Sequence, residues 1–176
     1  MDIEKLTKSV RNVPDFPIPG IQFKDVTTLF KDPFLLQEIV EGLYEIYKNK
    51  GITKVVGIES RGFILGPLLA VRLNAGFIPI RKPGKLPAAF FEESYEKEYG
   101  TDAIQIHQDA IESGDTVLLH DDLLATGGTM QAAVRLIEKF NPQKIYVNFL
   151  IELIDLKGRE GFSPDIRVDS IIKYDI

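Results

Sequence analysis

The sequence predicts an α/β fold, a mostly parallel twisted sheet flanked by helices. Three observations carry this. Short apolar runs at 55–58, 77–80, 116–121 and 144–151 alternate with stretches whose apolar residues recur at helical spacing. Glycine, proline and capping residues punctuate the boundaries between them. The 176 residues, 44% hydrophobic and 27% charged, suit one domain with a sizeable core. Strands alternating with helices imply a parallel sheet covered on both faces.

Residues 2–10 read as a short helix with Ile3, Leu6 and Val10 as its apolar side. Pro14, Pro17, Pro19 and Gly20 exclude a regular element over 14–28. Asp32 caps the next helix, with Pro33 at its first position. Leu36, Ile39, Val40, Leu43 and Tyr47 form its buried stripe, and Gly51 ends it. A buried strand at 55–58 leads to a helix over about 63–74 with Pro67 near its first turn and Gly76 as its stop. Strand 77–80 follows. Residues 82–101 are rich in Lys, Glu, Pro and Gly, lack a period, and read as a functional loop. An edge strand at 103–107, strand 116–121, helix 130–140, strand 144–151 and an edge strand at 168–172 complete the chain. The whole of 1–176 is read as one domain, with 14–28 as a small hood and 82–101 as a lid.

The segment with the most specific chemistry is His120-Asp121-Asp122-Leu123-Leu124-Ala125-Thr126-Gly127-Gly128-Thr129. An apolar strand ends in two adjacent carboxylates, where open α/β sheets bind ligands. The small-residue loop Ala125, Thr126, Gly127, Gly128, Thr129 follows. Glycines let a ligand approach closely, and successive backbone N–H groups can converge on one anion. Met130, Ala133, Val134 and Ile137 then mark one face of a helix, so the loop stands at a helix N-terminus, where the dipole favours phosphate. Acids for hydroxyls and a loop for phosphate together point to a phosphorylated sugar. The acids alone also suit a divalent metal or acid–base work.

Rival motifs are absent. There is no G-x-x-x-x-G-K-[ST] and no G-x-G-x-x-G. Gly57-Ile58-Glu59-Ser60-Arg61-Gly62 misses a nucleophile elbow because Ile58 stands where the first glycine is needed. Two histidines and no cysteine make no zinc site of the usual kind. A net charge of −5 argues against nucleic acid as a partner. With no long apolar leader and no run of about 18 apolar residues, no membrane role is expected and the chain is read as cytoplasmic.

The acid–loop segment closely resembles the phosphoribosyl-pyrophosphate (PRPP) signature of type I phosphoribosyltransferases. Four further pieces, at 16–25, 57–63, 81–87 and 95–100, are similar to the adenine-specific branch of that family and keep its order. The resemblance implies transfer of 5-phosphoribosyl from PRPP to adenine, giving AMP and pyrophosphate, in a homodimer. Mg²⁺ would be bound mainly through PRPP and pyrophosphate, with no dedicated protein metal site. Asp121 and Asp122 would hold ribose hydroxyls, and Ala125 to Thr129 the 5′-phosphate. Glu59, Ser60 and Arg61 would form the pyrophosphate loop, with Arg61 also acting in catalysis. Arg81 and Lys85 would help hold pyrophosphate, Lys85 from either subunit. Glu98 would be the catalytic carboxylate, supported by Tyr99 in the lid. Phe23 would stack on the purine while the backbone around Gln22 reads its edge. Lys24 stands where the family often has arginine and lacks its planar fork. His120 replaces a usual apolar residue and receives no catalytic role. In this fold the Glu59-Ser60 loop often carries a non-proline cis peptide, which no sequence motif reveals.

Two other functions share these features. Another purine base, such as xanthine or guanine, would change only the hood. A PRPP-sensing transcriptional regulator would keep the loop but add a nucleic-acid surface, for which this acidic chain shows no helix-turn-helix.

Overall fold

A computed structural model describes residues 1–97 and 100–175. Its elements are α1 (Ile3–Ser9), β1 (Arg11–Pro14), β2 (Gln22–Asp25), α2 (Thr27–Phe30), α3 (Pro33–Tyr47), β3 (Lys54–Ile58), α4 (Gly62–Leu73), β4 (Gly76–Ile80), β5 (Phe90–Lys97), β6 (Gly100–His107), β7 (Thr116–Leu124), α5 (Gly128–Glu138), β8 (Lys144–Leu153) and β9 (Arg167–Tyr174). Two short 3₁₀ turns, Ile154–Leu156 and Gly158–Gly161, join β8 to β9.

The main sheet has five strands in the order β4-β3-β7-β8-β9, and every neighbouring pair is parallel. From β3 the chain steps outward to β4, then returns to place β7 on the other side of β3. That reversal puts the loops after β3 and β7 on either side of a switch point, where such sheets open a crevice.

Period-two alternation divides the core. Val56, Val117 and Leu119 face one side, with α5 residues Met130, Ala133 and Ile137 and with Ile104 and Ile106 of β6. Val55 and Leu118 face the other, with Leu6, Ile39, Leu43 and Tyr47 from α1 and α3 and with Leu65 and Leu69 from α4. Helices therefore cover both faces, as the parallel sheet requires.

Asp32 caps α3 as expected, accepting from the N–H groups of Phe34 and Leu35. The deepest stripe is Leu35, Ile39, Leu43 and Tyr47, with Leu36 and Val40 only half-buried, so the face is rotated by about one residue from the expected one.

Four expectations need correction. Residues 14–28 are not free of regular structure: β2 and α2 lie there, and β2 pairs antiparallel with β1. The prolines confine the irregular part to the turn between those strands. The stop of α4 is Asn74, left-handed at φ 55°, while Gly76 opens β4. Pro67 stands inside α4, because that helix starts at Gly62. Over 82–101 the chain forms β5, an eight-residue strand in full antiparallel register with β6 in a separate two-stranded sheet. The strand expected at 103–107 is thus half of a hairpin. The last strand does form an edge of the main sheet, longer than foreseen, as β9.

Candidate active site

β7 carries Asp121 and Asp122 near its carboxyl end and runs to Leu124, three residues past the expected end, before the loop 125–127 leads into α5. The helix begins at Gly128, two residues before the expected Met130. Gly128 and Thr129 therefore contribute first-turn N–H groups. Gly127 caps the helix at φ 85° with no side-chain hydrogen bond, leaving those donors to a ligand. A cleft of about 100 Å³ opens here, lined by Asp121, Ala125, Thr126, Gly127, Gly128 and Thr129, with Phe149 beneath.

Asp122 is buried on its strand, and Asp121 beside it is half-buried. Asp122 is 3% exposed, and its carboxylate meets Arg61 Nε at 3.0 Å. The Asp122 N–H donates to Asp121 Oδ1 at 2.9 Å. Burial raises the Asp121 carboxyl well above the ordinary range, and the charge of Asp122 adds to the rise. Burial raises Asp122 as well, while Arg61 pulls it back down. Such a pair favours partners that donate hydrogen bonds or carry positive charge.

Arg61 enters from the loop between β3 and α4. Gly62 makes that approach possible, because a Cβ there would lie 2.8 Å from the His120 carbonyl oxygen and 3.3 Å from Asp121 Oδ1. The Glu59–Ser60 peptide in this loop is cis. Arg61 also lies over the Phe23 ring at 5.4 Å, so one guanidinium touches both the acid pair and the hood.

Glu59 points to its own chain. It accepts from Arg81 Nε at 2.9 Å and from the Lys82 N–H at 2.9 Å. Those bonds hold its carboxyl below the usual range, with the Lys85 charge adding to the effect. Glu59 thereby ties the start of the basic segment 81–85 to the loop after β3, a role the sequence reading did not give it. Ser60 and Lys85 are exposed beside it.

On the ribbon β1–β2, Gln22 and Lys24 share one face and Phe23 takes the other. Gln22 accepts from Asn12 at 2.7 Å, and Lys24 donates to Asn12 at 3.0 Å while lying over the Tyr174 ring. Both side chains are therefore engaged in the fold. Phe23 packs edge-on against Phe16 at 5.1 Å and faces Arg61.

The expected catalytic Glu98 and its neighbour Tyr99 lie outside the described residues. The β5–β6 pair is fixed to the core by Lys82, which reaches Asp102 at 2.5 Å and Tyr95 at 2.9 Å. That cluster escaped the sequence reading, because its members come from three separate segments.

His120 is fully buried, with Nδ1 at 2.9 Å from Asn148 Oδ1. Burial pushes its pKa down to about 4, so it is neutral at physiological pH. Farther along the same face, Tyr47 donates to Asp169 at 2.9 Å. His120 thus belongs to the packing of the sheet.

This architecture and site define a phosphoribosyltransferase: the phosphoribosyl transferase domain model matches residues 25–174. A curated adenine phosphoribosyltransferase from Bacteroides thetaiotaomicron is 67% identical, with 98% of each chain covered. The crystal structure of the Giardia lamblia adenine phosphoribosyltransferase complexed with 9-deazaadenine superposes with a TM-score of 0.94 at 40% identity, covering 100% of this chain and 99% of that one. The Trypanosoma brucei adenine phosphoribosyltransferase, solved with AMP, pyrophosphate and ribose-5-phosphate, gives 0.88 at 30% identity, covering 97% and 79%. The chain belongs to the adenine phosphoribosyltransferase family.

Proposed function

We propose that this protein transfers the 5-phosphoribosyl group of PRPP to adenine, releasing pyrophosphate and forming AMP. The observation that carries this reading is the acid pair near the carboxyl end of β7, followed through the short loop 125–127 by a helix N-terminus whose first N–H groups have no side-chain cap. The ribose hydroxyls donate to Asp121 and Asp122, and the 5′-phosphate takes the N–H groups and hydroxyls of Ala125 to Thr129. Phe23 stacks on adenine, and the backbone of Gln22 reads its edge. The engagement of the Gln22 and Lys24 side chains with Asn12 supports backbone rather than side-chain reading.

As the bond from ribose C1 to the pyrophosphate oxygen breaks, its electron pair leaves on pyrophosphate. Arg61, Arg81 and Lys85 neutralise that charge, with Glu59 steering Arg81. Adenine N9 bonds to C1 from the opposite face, with inversion, and gives up its proton. Glu98 assists that proton movement while the hairpin β5–β6 closes as a lid and the β1–β2 ribbon serves as the hood. Mg²⁺ suits the site: the two adjacent carboxylates are hard oxygen donors, and this ion needs few protein ligands beside substrate phosphates. When bound, it adds positive charge to the pyrophosphate. It would be held mainly through PRPP and pyrophosphate, beside the carboxylates of Asp121 and Asp122.

The deciding assay supplies PRPP, Mg²⁺ and each purine base in turn. Adenine is expected to give AMP and pyrophosphate, with hypoxanthine, guanine and xanthine far slower. No product with adenine overturns the reading. Glu98→Ala is expected to lower kcat by about 10²-fold, with KM for PRPP within a few-fold of the parent. An unchanged kcat removes Glu98 from the chemistry.

A homodimer and a cytoplasmic location belong to the same reading. The exposed apolar stripe Ile64, Leu68 and Val71 on α4 supports a covered face. Sedimentation of the purified protein as a monomer at micromolar concentration would remove the dimer.

A further inference from the structure

The phosphate loop has two sides. One lines the cleft. The other lies against the second 3₁₀ turn, Gly158–Gly161, at backbone contact. A Cβ on Gly158 would collide with the Ala125 carbonyl oxygen and lie 2.9 Å from Leu124 Cδ1 and 3.0 Å from the Gly127 nitrogen. Reciprocally, a Cβ on Gly127 would lie 2.7 Å from the Gly158 oxygen. Gly161 approaches the Gln131 side chain in the first turn of α5, where an added Cβ would lie 2.6 Å from Gln131 Cδ. Neither glycine of the turn lines the cleft.

One side chain ties this turn down. Arg159 donates through Nε to Glu152 Oε1 at 2.9 Å and through Nη2 to Glu152 Oε2 at 2.6 Å. The same guanidinium reaches Ser170 Oγ at 3.0 Å and the Val168 carbonyl, and Ser170 donates to Glu152. The clasp thus joins the turn to both β8 and β9. Glu152 is almost wholly buried and holds its charge against Arg159. A bidentate guanidinium–carboxylate pair fixes orientation as well as distance.

We propose that Arg159 and Glu152 are positioning residues for the phosphoribosyl donor. They press Gly158 against the back of the phosphate loop, so that the loop N–H groups stay converged before PRPP arrives. Small displacements of such groups carry large kinetic penalties. The base is held elsewhere, on the hood, so the effect falls on one substrate only. This inference rests on the donor reading given above.

The test compares the parent with Arg159→Lys, Arg159→Ala and Glu152→Gln by steady-state kinetics for PRPP and for adenine, with active enzyme counted by titration. The parent must first form AMP; if it does not, the donor reading itself fails. Given that activity, KM for PRPP is expected to rise about tenfold in Arg159→Ala and Glu152→Gln. Arg159→Lys, which keeps one donor toward Glu152, should fall between. KM for adenine and kcat per active site should stay within about twofold of the parent in all three. If Arg159→Ala does not fold, Glu152→Gln and Arg159→Lys decide under the same criteria. A merely structural clasp would lower thermal stability and the active fraction while leaving KM for PRPP unchanged, and that result overturns the proposal. Equal rises in both KM values overturn it too.

Discussion

Asp121→Asn is expected to lower kcat/KM for PRPP by about 10- to 100-fold while raising the thermal midpoint of the unliganded protein. The kinetic part follows from losing a charged acceptor for a ribose hydroxyl: hydrogen bonds to charged groups contribute about 1.5–3 kcal/mol, and about 1.4 kcal/mol is a factor of ten. The stability part follows from the sign of the pKa shift. Burial and the neighbouring Asp122 raise the Asp121 carboxyl well above 3.8. The folded protein therefore holds that proton more tightly than the unfolded chain. The associated stability is present at low pH and is lost as pH rises from about 3.8 through the raised value. Through that range the buried Asp121 carboxyl is a standing cost of the unliganded fold, in the manner of other functional sites that trade stability for activity.

Asparagine removes the charge but keeps the oxygen that accepts from the Asp122 N–H. Asp122→Asn should also weaken PRPP use, without the same gain in stability, because it takes the carboxylate away from Arg61. Thermal melts of the three proteins across pH 4 to 8, beside PRPP kinetics, check both halves. A parent that gains stability over that range relative to Asp121→Asn would contradict the assignment of the shift.

The proposed donor half of the site could be assembled from the chain alone because its parts are contiguous. Asp121 through Thr129 form one strand end, one loop and one helix start, and local chemistry alone assigns them. Arg61 was legible as a cation in a strand–helix loop, but not as the partner of Asp122, which comes from a non-consecutive strand across the switch point. The role of Glu59 was hidden for the same reason. Its partner Arg81 is 22 residues away and reaches it only because β3 and β4 pair in parallel.

β5 was missed because the outward Phe90 and the inward Glu93 break the apolar alternation. Phe91 and Tyr95 nonetheless pack against the core, and Glu93 between them meets Arg135 at 2.8 Å. Long-range register with β6, rather than local propensity, makes this segment a strand. The turn behind the phosphate loop left almost no trace, since its tightest approach to that loop is between backbone atoms. Two glycines flanking Arg159-Glu160 are the only mark it makes on the sequence.

Gly127→Ala is expected to abolish most PRPP-dependent activity, and a matched substitution shows why. Gly127 and Gly51 both have positive φ, 85° and 66°, so alanine meets a similar backbone penalty at each, of about 1 kcal/mol or somewhat more. They differ in surroundings. At Gly51, beyond the end of α3, no atom lies within 4 Å of an added Cβ. At Gly127 the Cβ would meet the Gly158 oxygen at 2.7 Å and Gln131 Nε2 at 3.0 Å. Gln131 can move, but Gly158 O is backbone, so the phosphate loop itself must shift away from the turn behind it. That shift breaks the convergence of N–H groups on the 5′-phosphate. Gly51→Ala should therefore lose modest stability and keep the parent's kinetics. Gly127→Ala should lose about 10²-fold or more in kcat/KM for PRPP, with the adenine KM, where measurable, little changed. Kinetics and thermal melts of the pair separate the two contributions. Equal activity losses in both variants would assign the effect to backbone strain alone and leave the loop's geometry without a part in donor binding.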